Sequence, residues 1–380
     1  MSEKIIANAR LVLPDSVTRG RLVMRDGLIA DIDTSQSHAI GDSVDFDGDY
    51  LLPGLVELHT DNLEGYLIPR PKVIWNQTLS AFFAHDAEIV AAGITTVFDS
   101  LSVGEYHDKG RLAILPSAVA ALDKACASGM LRVDHYLHLR CEVADDRLQA
   151  VFASLCQSPA LRLVSLMDHT PGQRQWRDTS TYRTYHSKEA TWTDEEFQIM
   201  MEELTATRDA CAEANAAAVM DFARKKGIPM ASHDDTLPEH VNEALHNGIG
   251  ISEFPTTMEA ATLAAQAGML VLMGAPNVVR GGSHSGNVSA IEVAKNGCLG
   301  GLSSDYVPMS LLGAVFMLSD AGVMPLHEAA ALVTRNTAEA VGMLDRGALM
   351  VGRRADVVRL RRIDGESVVR TVWCEGKRVF

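Results

Sequence analysis

The stretch Pro53-Gly54-Leu55-Val56-Glu57-Leu58-His59-Thr60-Asp61 constrains this chain more than any other. Its apolar run (Leu55, Val56, Leu58) ends in two metal-competent side chains spaced two residues apart. On a strand, residues i and i+2 point to the same side. His59 and Asp61 can therefore reach one point in space, where a buried strand would stop. One imidazole and one carboxylate make a borderline-to-hard donor pair suited to Zn²⁺ or Mn²⁺. The plainer alternative is a core-edge histidine beside a surface aspartate, so the rest of the chain has to decide.

The two ends of the chain share one pattern and the middle has another. Residues 1–50 hold short β-type runs at 5–13, 20–24 and 28–32, with Arg25-Asp26-Gly27 as a hairpin turn signal. Near the other end, 355–360 and 368–373 are strand-like and Cys374-Glu375-Gly376-Lys377 reads as a turn. The two ends can pair into one small β unit. Residues 51–345 alternate apolar strands with helical stretches such as 81–92, Asp194–Lys226 and 258–267. The strands are expected to end near His59, Asp99, Glu142, Asp168-His169, His233, Glu253, Pro276 and Asp305. Eight βα units fit a (β/α)8 barrel. Alternation also fits a doubly wound open sheet, but no GxGxxG opens a helix and no GxxxxGK[ST] occurs. Segment 172–195 is polar, long and studded with aromatics, and reads as a functional or mobile loop.

Bulk properties narrow the function classes. A net charge of −15 argues against general nucleic-acid binding, which needs a positive footprint. It leaves room for a small anionic ligand in a local cationic cleft. No apolar run is long enough for a membrane span, and the N-terminus lacks the pattern of a signal peptide. Six scattered cysteines without CxxC suggest free thiols in a reducing compartment, so a cytoplasmic protein is expected.

Polar residues cluster at the carboxyl ends of the expected strands, the active face of such barrels. In His138-Leu139-Arg140-Cys141-Glu142, three polar residues share one strand face, and Glu142, furthest along, is best placed to bridge metals. His169 sits where the strand 163–168 breaks into a turn, and His233 ends the run 228–233 before Asp234 and Asp235. An adjacent acid can fix the tautomer of a ligating imidazole. Asp305 ends the last strand; it is either a helix N-cap or, beside a metal, a proton acceptor for water. Each is weak alone, and an amphipathic edge or a hydrogen-bonded histidine would explain it. Together His59, Asp61, Glu142, His169, His233 and Asp305 describe a metal centre of one or two divalent ions, zinc or manganese.

A second cluster suits an anion. The glycine-rich run 274–287 offers Asn277, Arg280, Gly281, Gly282, Ser283 and His284 after the seventh strand, where barrels commonly hold phosphate. Gln173 and Arg174 follow His169, and Arg70 and Lys72 follow the first strand. These residues are expected to bind a phosphorylated small molecule, unless they are only a flexible turn with surface charges.

Several motifs resemble the amidohydrolase superfamily: Pro53-Gly54-Leu55 with His59-Thr60-Asp61, Gly93-Ile94-Thr95-Thr96-Val97, Gly352-Arg353-Arg354-Ala355-Asp356-Val357 and Thr334-Arg335-Asn336-Thr337-Ala338. The resemblance implies a metal-dependent TIM barrel over residues 53–347, flanked by a β-sandwich made from 1–52 and 348–380. Longer segments are similar to the diphosphatases of the carbon–phosphorus lyase pathway: 57–63, 69–73, 165–175, 231–235, 253–257, 272–287, 303–306 and 370–373. That similarity implies hydrolysis of α-D-ribose 1-methylphosphonate 5-triphosphate to the 5-phosphate and pyrophosphate, with Asp305 orienting water and accepting its proton. The chain departs from the superfamily at three points. Asp61 replaces the second histidine of His-X-His, Glu142 is the clear candidate for the bridging ligand, and Glu253 stands where a sixth-strand histidine is usual. C–N bond hydrolysis of a cyclic amide or N-acyl amino acid, deamination, and a non-catalytic subunit are the competing functions. A homo-oligomer is left open.

Overall fold

The computed structural model describes residues 3–35, 41, 43–70, 73–104, 109–186, 192–283 and 286–380. Both chain ends enter one sheet. The first part supplies β1 (Lys4–Val12), β2 (Val17–Arg25), β3 (Leu28–Asp33), β4 (Val44–Asp45) and β5 (Tyr50–Pro53). A second set forms the barrel: β6 (Leu55–Thr60), β7 (Ile94–Val103), β8 (Asp134–Glu142), β9 (Leu161–Met167), β10 (Met230–His233), β11 (Ile251–Glu253), β12 (Leu270–Gly274) and β13 (Gly301–Ser303). The chain then returns through β14 (Val357–Ile363), β15 (Glu366–Cys374) and β16 (Lys377–Arg378).

The terminal sheet runs β16-β15-β14-β5-β1-β2-β3, with β4 beside β1. Hydrogen bonds thus join the strands from both ends into one continuous sheet. Its seam is the antiparallel pairing of β14 with β5, Val357 opposite Pro53 and Leu360 opposite Tyr50. The hairpin turns share one chemistry. Asp26 and Gly27, Asp364 and Gly365, and Glu375 and Gly376 all have positive φ, the backbone that a twisted two-residue hairpin demands.

The barrel strands are ordered β6 to β13 in sequence, each parallel to the next. Closure is made at the carboxyl end. Asp61 N donates to Asp305 O at 2.8 Å, and Asp305 N donates to His59 O at 3.1 Å. Below that point Leu332 and Val333 stand between the two edge strands, taking hydrogen bonds from Leu302 N and Val56 N. Val56, Leu58, Phe98, Leu163, Ala231, Ile251 and Leu272 form one buried apolar cluster. The helices pack their apolar faces outside the wall, in a larger cluster.

Two expected loops carry helix instead. Segment 172–195 contains a 3₁₀ turn (Arg174–Trp176) and a helix (Thr179–His186). Its aromatics bury one another: Trp176, Tyr182 and Phe197 form a separate core. After β12, residues Ala275–Arg280 are helical, because Pro276 suits a first helical turn and Gly281, at φ +80°, ends it. The helix Asp194–Lys226 matches the expectation. Thr193 and Glu196 form its capping box, and Gly227 ends it in the left-handed region.

One polar cluster ties a helix to the barrel wall. His85 and Asp86, from the helix Thr78–Ala91, meet Asp99 of β7 and His135 of β8, all buried. Asp99 takes hydrogen bonds from His85 Nε2 at 2.7 Å and His135 Nδ1 at 2.8 Å. Burial pulls the His135 pKa down, but Asp99 and Asp86 outweigh it and hold it near 9. Burial raises Asp99, and the two histidines more than reverse this, to about 2. The His135 contribution to stability is therefore complete below its unfolded value of 6.5 and lost as pH rises toward about 9. The Asp99 contribution is present above 3.8 and lost as pH falls toward about 2. In chelator-treated protein, urea unfolding should show stability falling between pH 6.5 and 9. In His135→Gln the fall should be smaller by on the order of 2 kcal/mol; an unchanged fall would exclude this cluster as its source.

Candidate metal centre

The site begins with how three strands end. Asp234, Phe254 and Asp305 have φ of +56°, +55° and +56°, directly after β10 and β11 and just past β13. Each still donates its N–H across to a neighbouring strand: Asp234 N to Glu253 O, Phe254 N to Leu272 O, Asp305 N to His59 O. The chain thus keeps its barrel bond while turning outward. Aspartate tolerates this conformation, whereas phenylalanine is held there against a cost of roughly 1–2 kcal/mol. Packing offsets the strain. The Phe254 ring stands edge-on to His59 at 4.9 Å and to His233 at 5.3 Å.

These ends surround a cavity of about 450 Å³ lined by His59, Asp61, Arg140, Glu142, His169, His233, Asp234 and Asp305, among others. Two groups of three donors converge in it: His169, His233 and Asp234, and His59, Asp61 and Asp305. In the first, Asp234 Oδ2 lies 3.5 Å from His169 Nε2 and 3.6 Å from His233 Nε2. Donors bound to one tetrahedral ion at about 2.0–2.1 Å sit roughly 3.3 Å apart. Asp234 Oδ2 is also buried with no hydrogen-bond partner among the described residues. In the second group His59 Nε2 lies 3.6 Å from Asp61 Oδ1.

Carboxylates behind the imidazoles set their orientation. Glu253 accepts from His59 Nδ1 at 2.7 Å and from His233 Nδ1 at 2.8 Å. Glu142 accepts from His169 Nδ1 at 2.8 Å. All three Nδ1 protons are thereby fixed, and Nε2 is the atom aimed at the cavity, an arrangement common behind metal-bound histidines. Glu142 thus stands behind His169 and is in neither donor group of the cavity, whereas the sequence placed it as a bridging ligand. Asp234 supplies the carboxylate of the His169 and His233 donor group. Gly104 leaves room for Glu142, since a Cβ there would meet Glu142 Cβ at 2.8 Å.

The charges follow. Burial lowers the His59 pKa, but Glu253 outweighs it and holds it near 10. Burial likewise opposes Asp234 and Glu142, which hold His169 near 9. Asp305 is pushed up to about 6 by burial and by the neighbouring Asp61. Protons on the imidazole Nε2 atoms are the ones a divalent ion would displace.

The anion-binding candidates divide. Asn277, Arg280, Gly282 and Ser283 line the cavity. Gly281 does not; it caps the short helix. Arg174 turns under the site, its Nη1 donating to His233 O at 2.7 Å and Asp235 Oδ1 at 2.8 Å, so it braces β10. Gln173 belongs to a turn, its N–H on Thr170 O, and Arg70 is exposed in a bridge with Val73; neither lines the cavity. Lys72 and His284 lie outside the described residues. Sequence reasoning did not assign Arg140, His138 or the aromatic wall of Trp176, Tyr182 and Tyr185. The alternation at 138–142 was the available signal for the first two. His138 is hydrogen-bonded to Leu58 O and Ser165 Oγ, and burial drives its pKa down to about 3, so it is neutral.

A parallel barrel with carboxylate-backed histidines at its strand ends is the frame of the metal-dependent hydrolases, and the amidohydrolase family model matches residues 256–380. The chain is 45% identical over 379 residues to α-D-ribose 1-methylphosphonate 5-triphosphate diphosphatase of Escherichia coli, covering 99% of this chain and 100% of that one. The chain belongs to the amidohydrolase superfamily, in the family of that diphosphatase. Solved structures share the fold at low identity. N-acetylglucosamine-6-phosphate deacetylase from Pasteurella multocida has a TM-score of 0.65 at 11% identity, covering 99% of each chain. Dihydropyrimidinase from Brevibacillus agri has 0.57 at 14%, covering 99% of this chain and 95% of that one.

Glu253→Gln tests the orientation directly. A glutamine can accept from one Nδ1 but presents an NH₂ to the other, which then carries its proton on Nε2 and cannot ligate. Chelator competition should show metal affinity falling about 10–100-fold. Wild-type affinity would remove Glu253 from this role.

Proposed function

We propose that this protein hydrolyses α-D-ribose 1-methylphosphonate 5-triphosphate to the 5-phosphate and pyrophosphate, using one or two divalent ions, zinc or manganese. The full-length match to the Escherichia coli diphosphatase carries the reading. The cavity supports it, because the donor groups and Arg280 share one space of a size suited to a small molecule.

His169, His233 and Asp234, and His59, Asp61 and Asp305, are the residues that would hold ions. A bound divalent ion supplies what side chains lack: it lowers the pKa of water toward ~7 and neutralises phosphate charge. The protein does the rest. Water adds to the α-phosphorus, the anhydride bond between the α- and β-phosphates breaks, and pyrophosphate departs. A carboxylate oxygen of Asp305 takes the proton from the attacking water. Burial and Asp61 set its pKa near 6, which favours that transfer near neutral pH. Arg280, exposed and lining the cavity, pairs with the leaving phosphates, and Trp176, Tyr182 and Tyr185, which line the same cavity, exclude water from it. Phosphoryl transfer depends on such positioning and charge compensation.

The deciding assay is pyrophosphate release from the ribose triphosphate, run beside a hydantoin and an N-acyl amino acid. Activity on the C–N substrates alone would defeat the proposal. Asp305→Asn should keep its metal and lose about 10²–10⁴ in kcat. In the wild type the base must be ionised, so kcat should fall as pH drops below about 6. A flat profile or near-normal turnover in the variant removes the role. Arg280→Ala should raise KM for the triphosphate on the order of tenfold with little change in kcat; an equal effect on a neutral ester would place Arg280 outside phosphate binding.

A further inference from the structure

The two donor groups in the cavity differ in one respect. Asp234 Oδ2, with His169 and His233 on either side, has no hydrogen-bond partner among the described residues. Asp61 Oδ1 has one. Arg140 Nη1 lies 2.7 Å from it, closer than His59 Nε2 at 3.6 Å. The Asp61 oxygen nearest His59 Nε2 is therefore already bound to a guanidinium. Arg140 rises from the inner face of β8, has a side chain 11% exposed, and cannot shed its charge.

Its surroundings explain why it stays. Asp61, Glu253, Glu64 and Asp305 all act on its charge. A cation placed among them relieves their mutual repulsion, which is part of what a divalent ion does in such a site. The same cation opposes a second one at Asp61, since like charges a few ångströms apart interact strongly in a pocket poor in water. Arg140 also lines the cavity, and its Nε is buried without a hydrogen-bond partner among the described residues. The guanidinium thus retains donor capacity for an anionic oxygen.

We propose that the cavity holds one resident divalent ion, on His169, His233 and Asp234, and that Arg140 takes the place of a second ion at His59, Asp61 and Asp305. The proposal rests on the metal-dependent reading of the site and specifies its stoichiometry. It also assigns Arg140 to the substrate's phosphate charge, a task a second ion would otherwise perform. Arginine suits it by geometry, because its planar fork meets two phosphate oxygens at once.

The test counts ions on the full-length protein, without substrate. The protein is stripped with chelator, reloaded by dialysis against Mn²⁺ or Zn²⁺, and analysed by elemental mass spectrometry, with affinities from chelator competition. The wild type should hold one ion per chain. Asp61→Asn should keep that ion with affinity within about threefold, while Asp234→Asn should weaken it about 10–100-fold or more. Arg140→Met should bind a second ion. Two ions of comparable affinity in the wild type, or loss of the resident ion in Asp61→Asn, would overturn the proposal. Those two measurements decide even if Arg140→Met fails to fold, which its melting curve would reveal. A chain that binds no ion would defeat the metal reading and this inference together, whereas two ions would defeat only the inference.

Discussion

Closure of the barrel is the constraint on which the rest depends, and it is made by residues of the site. The main chain of Asp305 exchanges hydrogen bonds with His59 and Asp61. Beneath it, the buried carboxylate of Glu57 accepts from His59 N at 2.6 Å and Ser304 N at 2.5 Å, bridging the two edge strands. Burial pushes the Glu57 pKa up to about 7 against these bonds. A buried carboxylate is tolerated only when its oxygens are satisfied, and here the partners are backbone groups of the seam itself. The donor group His59, Asp61 and Asp305 is consequently assembled by the act of closing the barrel. Slippage at the seam would move all three at once.

A second device extends the same economy around the rim. Left-handed residues at Asp234, Phe254 and Asp305 let each strand give one last ladder bond while the chain turns away. Of the preceding side chains, His233 lines the cavity and Glu253 stays buried behind it. Glu253 then joins β11 to both β6 and β10 through two imidazoles. Three strands are held in register by a single side chain, and each imidazole is left with one nitrogen aimed inward. An outlier such as Phe254, at a cost of roughly 1–2 kcal/mol, survives only where the surroundings fix it.

Much of this was legible in the sequence, and the reasons are specific. Period-2 spacing at His59 and Asp61, and apolar runs delivering His169 and His233, placed the strand ends, because a buried strand has few ways to present a polar residue. The helix Asp194–Lys226 was marked by acids at its start, bases at its end and Gly227 beyond. Other features needed the third dimension. Glu142 and Asp234 exchanged expected roles because no spacing rule says which of two nearby acids faces an imidazole's Nδ1 and which its Nε2. Arg174 read as an anion binder, yet a buried Asp235 and the His233 carbonyl claim it. The helix Thr179–His186 was hidden in a polar stretch because its burial is aromatic against aromatic, local to that segment.

The charge distribution resolves an apparent contradiction between a chain of net −15 and an oligo-anionic substrate. Acidic groups at the site are turned to tasks that hide their charge: Glu253 and Glu142 lie behind histidines, Glu57 is locked in the seam, and Asp61 is paired with Arg140. What faces the cavity is then three imidazoles, the carboxylates of Asp234 and Asp305, and the guanidinium groups of Arg140 and Arg280. An ion on His169, His233 and Asp234, as proposed, would add further positive charge there. The field inside a cleft follows from which groups line it and how far they are from water, more than from the sum over the molecule. A surplus of surface carboxylates is therefore compatible with binding several phosphates. Such a surface repels those anions everywhere except where a local cationic cleft outweighs it.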